Sequence, residues 1–196
     1  MALEDRLPME SSELLSLDLP RLDFEETLLD KSLSHANWYA IYTRSRHELY
    51  VKRQLDHKGI SNLLPLYTKV SQWKDRKKEI QLPLFPGYLF VRIPLLNRMA
   101  VLTTFGVVYI VGDGSGSLPV PEESINSIQS FLTQGLKCDP HPYLKVGNRV
   151  RITEGPLNGI EGILIRKKNR TLLVVSVDLI QRSVSVEIES WKIERV

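Results

Sequence analysis

One cysteine, Cys138, is all that the 196 residues contain, which excludes an internal disulfide framework and fits a reducing compartment. No apolar run approaches the roughly eighteen residues needed to span a bilayer. The opening "MALEDRLPMESSELL" has neither the basic region nor the apolar core of a secretory signal. A cytoplasmic protein without membrane contact is the expectation. The four histidines, His35, His47, His57 and His141, share no metal-ligand spacing, and no nucleophile elbow or Walker loop is present. "GDGSGS" (112–117) is glycine-rich but lacks the spacing of a dinucleotide fingerprint, and reads as a turn. Asp and Glu are scattered rather than paired. The residues therefore make no case for an enzyme, a cofactor or a metal.

What the chain does have is an uneven charge. Residues 1–36 hold nine acids against three bases, a net of −6, whereas residues 37–196 hold 23 bases against 14 acids, a net of +9. A body this basic suits a polyanionic partner, nucleic acid foremost, and equally suits a well-solvated surface. The acidic segment carries many leucines without a sustained helical period and two prolines, and reads as an extension.

Pattern begins at "NWYAIYT" (37–43), a strand by its aromatic and β-branched content. In the following "SRHELYVKRQLDHKG", Ser45 and Glu48 have the spacing of a capping box and Gly59 stands where a helix ends, predicting a helix over about 46–58. At about 100° per residue Arg46, Tyr50, Arg53 and His57 share one face, while Val51 and Leu55 turn to a core. Cations interleaved with an aromatic suit phosphate contact and base stacking, or an ordinary solvated face. "NLLPLY" (62–67) reads as a strand. The run Lys74, Arg76, Lys77, Lys78 reads as the basic tip of a hairpin.

"LPLFPGYLFVRI" (82–93) places Phe85, Tyr88 and Phe90 beside two prolines and a glycine. Pro83 and Pro86 cannot donate to a ladder, so the strand starts near Gly87, with Tyr88 and Phe90 on one face and Leu89 and Val91 on the other. "GVVYIVG" adds a strand and "PEESINSIQSFLTQG" a helix entered near Pro121. Together these predict an α+β domain over 37–135, an antiparallel sheet flanked by helices. "LKCDPHPYLK" (136–145) reads as a linker. Residues 146–196 alternate at period two through four or five short strands, predicting a small all-β barrel that closes its own edges. Val150, Ile152, Ile163, Ile165, Val175, Val177, Val184, Val186 and Ile188 are its expected lining.

The strand "WYAIYT", the capped helix, "LFPGYLFV", "GVVYIVG" and "VGNRVRITEGPLNGIEGILI" occur in that order. Together they resemble the NusG family of transcription elongation and antitermination factors: an amino-terminal NusG domain joined to a KOW domain, over residues 37–196. The resemblance implies that the amino-terminal domain binds the clamp helices of bacterial RNA polymerase and suppresses pausing and termination. Tyr42, Phe85, Pro86, Tyr88 and Phe90 would form that apolar surface. It implies contact with the exposed non-template DNA strand through Arg44, Tyr50, Gln54, His57, Lys58 and Thr104. Arg46, Arg53, Lys74, Arg76 and Lys77 supply further cations. It also implies that the KOW domain recruits a small-subunit ribosomal protein, the termination factor Rho, or both, with Leu157 and Ile180 as contact residues or, for Leu157, a rim core residue.

The acidic extension, "LPLFPGY" and "WKDRKK" resemble the specialised, operon-specific RfaH-like branch more than a general housekeeping factor. Those specialised members hold the KOW domain as a helical hairpin by means of a glutamate before the Pro-Leu-Phe-Pro run. Leu82 stands at that place, and the carboxy-terminal strands are rich in valine and isoleucine, so a β-barrel at rest is expected. A KOW-containing RNA- or ribosome-binding protein is the rival reading, and a monomer is expected in either case.

Overall fold

The computed structural model describes residues 34–72, 77–167, 170–188 and 193–196. The acidic extension, apart from its last three residues, and the hairpin tip with Lys74 and Arg76 lie outside the described residues.

Strand β1 (Ala36–Thr43) is the hub of the amino-terminal part. It pairs antiparallel with β5 (Tyr88–Pro94) and β6 (Val107–Ile110), and β2 (Asn62–Leu63) adds to β5, giving the order β2-β5-β1-β6. Period-two alternation sends the two halves of β1 and β5 into different cores. Tyr39, Ile41, Leu89 and Val91 pack with Val51 and Leu55 of α1 (Glu48–His57) and Val101 of α2 (Arg98–Leu102). Trp38, Ala40 and Phe90 pack on the other face with Ile125, Ile128 and Phe131 of α3 (Glu122–Thr133). The sheet is thus flanked by helices on both sides, as the sequence pattern requires.

Helix α1 ends as predicted. Gly59 takes φ +68°, its N–H donates to the Asp56 carbonyl at 3.0 Å, and the Ile60 N–H donates to the Leu55 carbonyl at 2.9 Å. This is the paired-bond termination that a left-handed residue permits, sealed by Ile60 and Leu55 in one core. The start differs from the predicted capping box. His47 occupies the cap with no side-chain cap bond, and Glu48 turns inward to accept the Gly87 N–H on Oε1 at 2.8 Å. A buried backbone donor in the Phe85–Tyr88 turn outcompetes the helix's own solvent-reachable N–H groups.

"NLLPLY" is not one strand. It divides at Pro65, whose carbonyl accepts the Leu84 N–H at 2.9 Å. Beyond it, among the described residues, β3 (Leu66–Gln72) pairs only with β4 (Lys77–Pro83), a two-stranded arm.

The carboxy-terminal part is all β, as expected, rather than a helical hairpin. Strands β8 (Asn148–Ile152), β9 (Glu161–Lys167), β10 (Arg170–Val177), β11 (Arg182–Glu187) and β12 (Ile193–Arg195) join an unexpected one, β7 (Cys138–His141). The order is β12-β8-β9-β10-β11-β7, every pairing antiparallel. Residues 136–145 are therefore not merely a linker, because β7 covers the free edge of β11. Among the described residues β7 and β12 are the two edges of this sheet and do not pair with each other.

Register also corrects the predicted lining. Leu164 lies opposite Leu173, which lies opposite Val186, whereas Ile163 lies opposite Val174 on the reverse face. Ile163 and Ile165 therefore point away from Val150, Ile152, Val175, Val177, Val184, Val186 and Ile188, which share the core. Helix α3 packs against β10, and one continuous apolar cluster runs from Phe85 and Phe90 through Phe131 to Val175 and Val184.

Candidate nucleic-acid interface and aromatic row

The carboxyl end of β1 carries two adjoining surfaces. The first is a row of tyrosines made by register: Tyr42 lies directly opposite Tyr88 of β5 on one side and Tyr109 of β6 on the other. The Tyr42 ring is 5.2 Å from each neighbour, tilted by 56° to Tyr88 and stacked at 28° on Tyr109. Gly87 lets this row lie down on the backbone. Its φ is +83°, and a Cβ there would sit 3.0 Å from Cε2 of Tyr42. Burial pushes the Tyr88 phenol above its usual range, with the Tyr109 and Tyr42 phenols adding to the effect and Arg182, at the start of β11, opposing it.

Of the five residues expected on an apolar docking surface, Tyr42 and Tyr88 are half-buried and Pro86 is exposed. Phe85 and Phe90 are not on the surface. They are fully buried and meet edge to face at 5.7 Å in the core, so they support the turn from beneath. Phe90 shares the face of Tyr88 but packs against Ile125, Ile128 and Phe131 of α3, and the Pro86–Gly87 turn folds Phe85 back under it. Tyr109, 46% exposed, completes the row in their place. The sequence signalled it only through "GVVYIVG", which gives the strand but not the register.

The second surface begins at the next residue. Arg44 sits with its guanidinium carbon 5.2 Å from the Phe105 ring centre. Phe105 meets His47 at 6.0 Å and Tyr50 at 6.0 Å, and His47 and Tyr50 lie 6.5 Å apart. Phe105 and Tyr50 are 57% and 53% exposed, high values for rings in mutual contact. The cluster is braced from behind. The Arg44 N–H donates to the Gly106 carbonyl at 2.8 Å, and the Gln54 side-chain amide donates to the Phe105 carbonyl at 2.8 Å.

Arg44, Arg46, Arg53 and His57 are all exposed, Arg53 and His57 on the helical face that periodicity assigned them with Tyr50. Arg46 itself precedes α1, in a left-handed conformation with φ +60°. Lys58 and Thr104 have a different role from the expected one. The Lys58 ammonium donates to the Thr104 hydroxyl at 2.7 Å and the Ala100 carbonyl at 2.8 Å, and Thr104 is buried. They fasten the turn that presents Phe105. Lys77 lies at the far end of the β3–β4 arm, apart from the cluster. His47 and Phe105 were missed from sequence because neither belongs to a periodic pattern.

In the carboxy-terminal sheet, Leu157 and Ile180 are both buried in the shared core: for Leu157 this is the rim-core alternative, and for Ile180 it corrects the expected contact. Leu157 is held in the turn where the Asn158 N–H donates to the Gly155 carbonyl and the Ile160 N–H to the Leu157 carbonyl. Ile180 ends a short 3-10 turn over Asp178–Ile180. No helix among the described residues is long and apolar enough to cross a membrane.

Comparison with known proteins gives a consistent answer. The family model described as transcription termination factor nusG matches residues 36–129. The transcription termination/antitermination protein NusG of Staphylococcus epidermidis is 32% identical over 186 residues, covering 86% of this chain and 100% of its own. The protein of the same name from Borreliella burgdorferi is 27% identical over 181 residues, covering 81% of this chain and 98% of its own. A solved structure titled "Domain interaction in Thermotoga maritima NusG" superposes with a TM-score of 0.50 at 22% identity, over 84% of this chain and 99% of that one, a likeness of fold. The family-model match begins with the strand that carries the tyrosine row, and the Staphylococcus epidermidis relative aligns over 86% of the chain: the chain belongs to the NusG family.

Proposed function

We propose that this chain is a transcription elongation and antitermination factor that binds RNA polymerase through the Tyr42–Tyr88–Tyr109 row and the non-template DNA strand through the Arg44–His47–Tyr50–Phe105 cluster. The observation that carries this reading is the adjacency of the two surfaces at one end of β1. A half-buried aromatic row suits an apolar protein contact. Beside it, exposed rings interleaved with cations suit an unpaired strand, where phosphates meet arginines and bases meet rings. The names of the curated relatives support a general factor of this type. An operon-specific role is a second reading, favoured by the acidic extension that precedes the matched residues. For the KOW-like sheet, recruitment of a ribosomal protein or Rho is supported by sequence resemblance, through residues other than the buried Leu157 and Ile180 side chains.

The test is binding of the full chain to RNA polymerase, together with pause lifetimes on a defined template. Tyr88→Ala should lower polymerase affinity at least tenfold, about 1.4 kcal/mol, and abolish pause suppression while the far-ultraviolet spectrum is unchanged. Arg44→Glu should retain polymerase affinity but flatten the salt dependence of binding to a complex with an exposed strand. Wild-type pause lifetimes with Tyr88→Ala would sink the proposal. Mapping polymerase-bound chain across the genome separates a general factor, found at most transcription units, from one confined to a few.

A further inference from the structure

Arg44, Arg46 and Arg53 are exposed, and among the described residues none of them enters an ion pair. The rings beside them, Tyr50 and Phe105, and the aliphatic Leu49 on the same helix are each about half exposed. A surface with free cations and uncovered apolar area attracts a ligand that is acidic and apolar together. This chain carries such a ligand. The stretch "DLPRLDFEETLLD", Asp18–Asp30, holds five acids, one base, four leucines and a phenylalanine. It precedes residue 36, where the family match begins.

We propose that Asp18–Asp30 occupies the Arg44–Tyr50–Phe105 face of its own chain and is displaced by single-stranded nucleic acid. Carboxylates pair with Arg44, Arg46 and Arg53, while Leu22, Phe24, Leu28 or Leu29 cover Tyr50, Phe105 and Leu49. The inference rests on the single-strand reading of that face.

Reach permits it. The stretch joins β1 at Ala36, and the basic face begins one residue past Thr43, about 23 Å along the strand at roughly 3.3 Å per residue. The 18 steps from Asp18 to Ala36 span about 59 Å if extended, at roughly 3.3 Å per residue, and about 27 Å if helical, at 1.5 Å per residue. An extended chain carries Asp18, Asp23, Glu25 and Glu26 past that distance, at roughly 3.3 Å per residue, whereas a fully helical one brings only Asp18 to it. Tethering gives an effective concentration on the order of 1 mM, so even a weak segment, with a dissociation constant near 0.1 mM, would lower apparent nucleic-acid affinity about tenfold. The consequence is a threshold: isolated polyanions displace the segment only at about tenfold higher concentration, whereas a strand held beside the site by the polymerase contact displaces it readily.

Two measurements on the full chain test this. In the first, Asp18, Asp23, Glu25, Glu26 and Asp30 are all changed to their amides, and binding of labelled (dT)15 is followed by anisotropy against salt. The variant should bind about tenfold more tightly at 50 mM salt, with a steeper salt slope, because in the wild type part of the counterion release has been spent on the segment. Changing five acids of the barrel to amides controls for net charge and should have a smaller effect.

In the second, a nitroxide is placed at Thr27→Cys, Cys138 being buried. The label should broaden the amide signals of Arg44, Tyr50 and Phe105, and saturating (dT)15 should restore them. Equal affinities in the first measurement and unbroadened signals in the second overturn the proposal while leaving nucleic-acid binding intact. Broadening without any (dT)15 binding upholds the occupancy and refutes the single-strand reading instead. Broadening seen only between mixed labelled and unlabelled chains assigns the contact to a second copy and overturns it.

Discussion

Glu48 ties the two halves of the site together, and its removal should be costly out of proportion to its place on a helix's first turn. Glu48 is 7% exposed, and its carboxylate accepts the Gly87 N–H at 2.8 Å. Gly87 in turn gives its carbonyl to the Thr43 N–H at 2.8 Å, fixing the end of β1 from which both surfaces spring. A hydrogen bond to a charged group contributes about 1.5–3 kcal/mol net, and a carboxylate in a helix's first turn adds about 0.3–1 kcal/mol. Glu48→Ala should therefore destabilise the chain by about 2–4 kcal/mol. Glu48→Gln, which keeps an acceptor oxygen, should cost about 1 kcal/mol. With a urea slope of about 2 kcal/mol/M, the alanine midpoint falls by about 1–2 M and the glutamine midpoint by about 0.5 M. Urea titration followed by far-ultraviolet ellipticity measures both. An alanine variant within about 0.5 kcal/mol of wild type would refute the assignment of Glu48 as the anchor of the turn, as would a glutamine variant as damaged as the alanine one.

Arg46 holds φ +60°, so Arg46→Gly should raise stability by about 1 kcal/mol in the same titration while weakening nucleic-acid binding. Phe105 is exposed, so Phe105→Ala should leave the melting temperature unchanged yet cost about 1–3 kcal/mol in (dT)15 binding, read by anisotropy. The Cys138 thiol is pushed up to about 11 from its ordinary 9.0 by desolvation, with Asp139 adding to it. The ionised form is the disfavoured one. At pH 8 its thiolate fraction is therefore about 100-fold below that of the unfolded chain, and alkylation by iodoacetamide, followed by mass, should slow by that factor.

Much of the fold was legible because its central strands bury both faces and its helices one, each in a fixed period. β1 and β5 alternate cleanly between two cores, and α1 shows Val51 and Leu55 at helical spacing with a glycine stop. What was illegible depended on partners remote in sequence. Nothing local marks Cys138–His141 as a strand, and Pro140 argues against one. It forms because β11 offers a free edge, and the edge position tolerates the proline. Ser45 and Glu48 have the spacing of a capping box, yet a donor 39 residues away takes the carboxylate. The site divides the same way. Arg53 and His57 were read from the period of α1, but Arg44 came only from the resemblance, Tyr109 is defined by register and Phe105 by a turn. The burial of Phe85 and Phe90 required knowing which side of β5 carries α3.

These distinctions explain why the aromatics of one short segment do different work. Tyr88 and Phe90 share a face of β5, but Tyr88 sits at the strand's end beside Tyr42 and Tyr109, beyond the cover of α3, whereas Phe90 lies beneath it. The hydroxyl suits the half-wet position and the plain ring the dry one. Phe85 and Phe90 resist displacement because their contact is internal, and the tyrosine row is held to one geometry by three strands at once. The Arg44 cluster is built otherwise, from a turn and a helix start braced by Gln54, Lys58 and Thr104. A rigid row beside a cluster on a fastened but shorter support suits two successive contacts: a fixed protein surface first, and then a strand whose path must be accommodated.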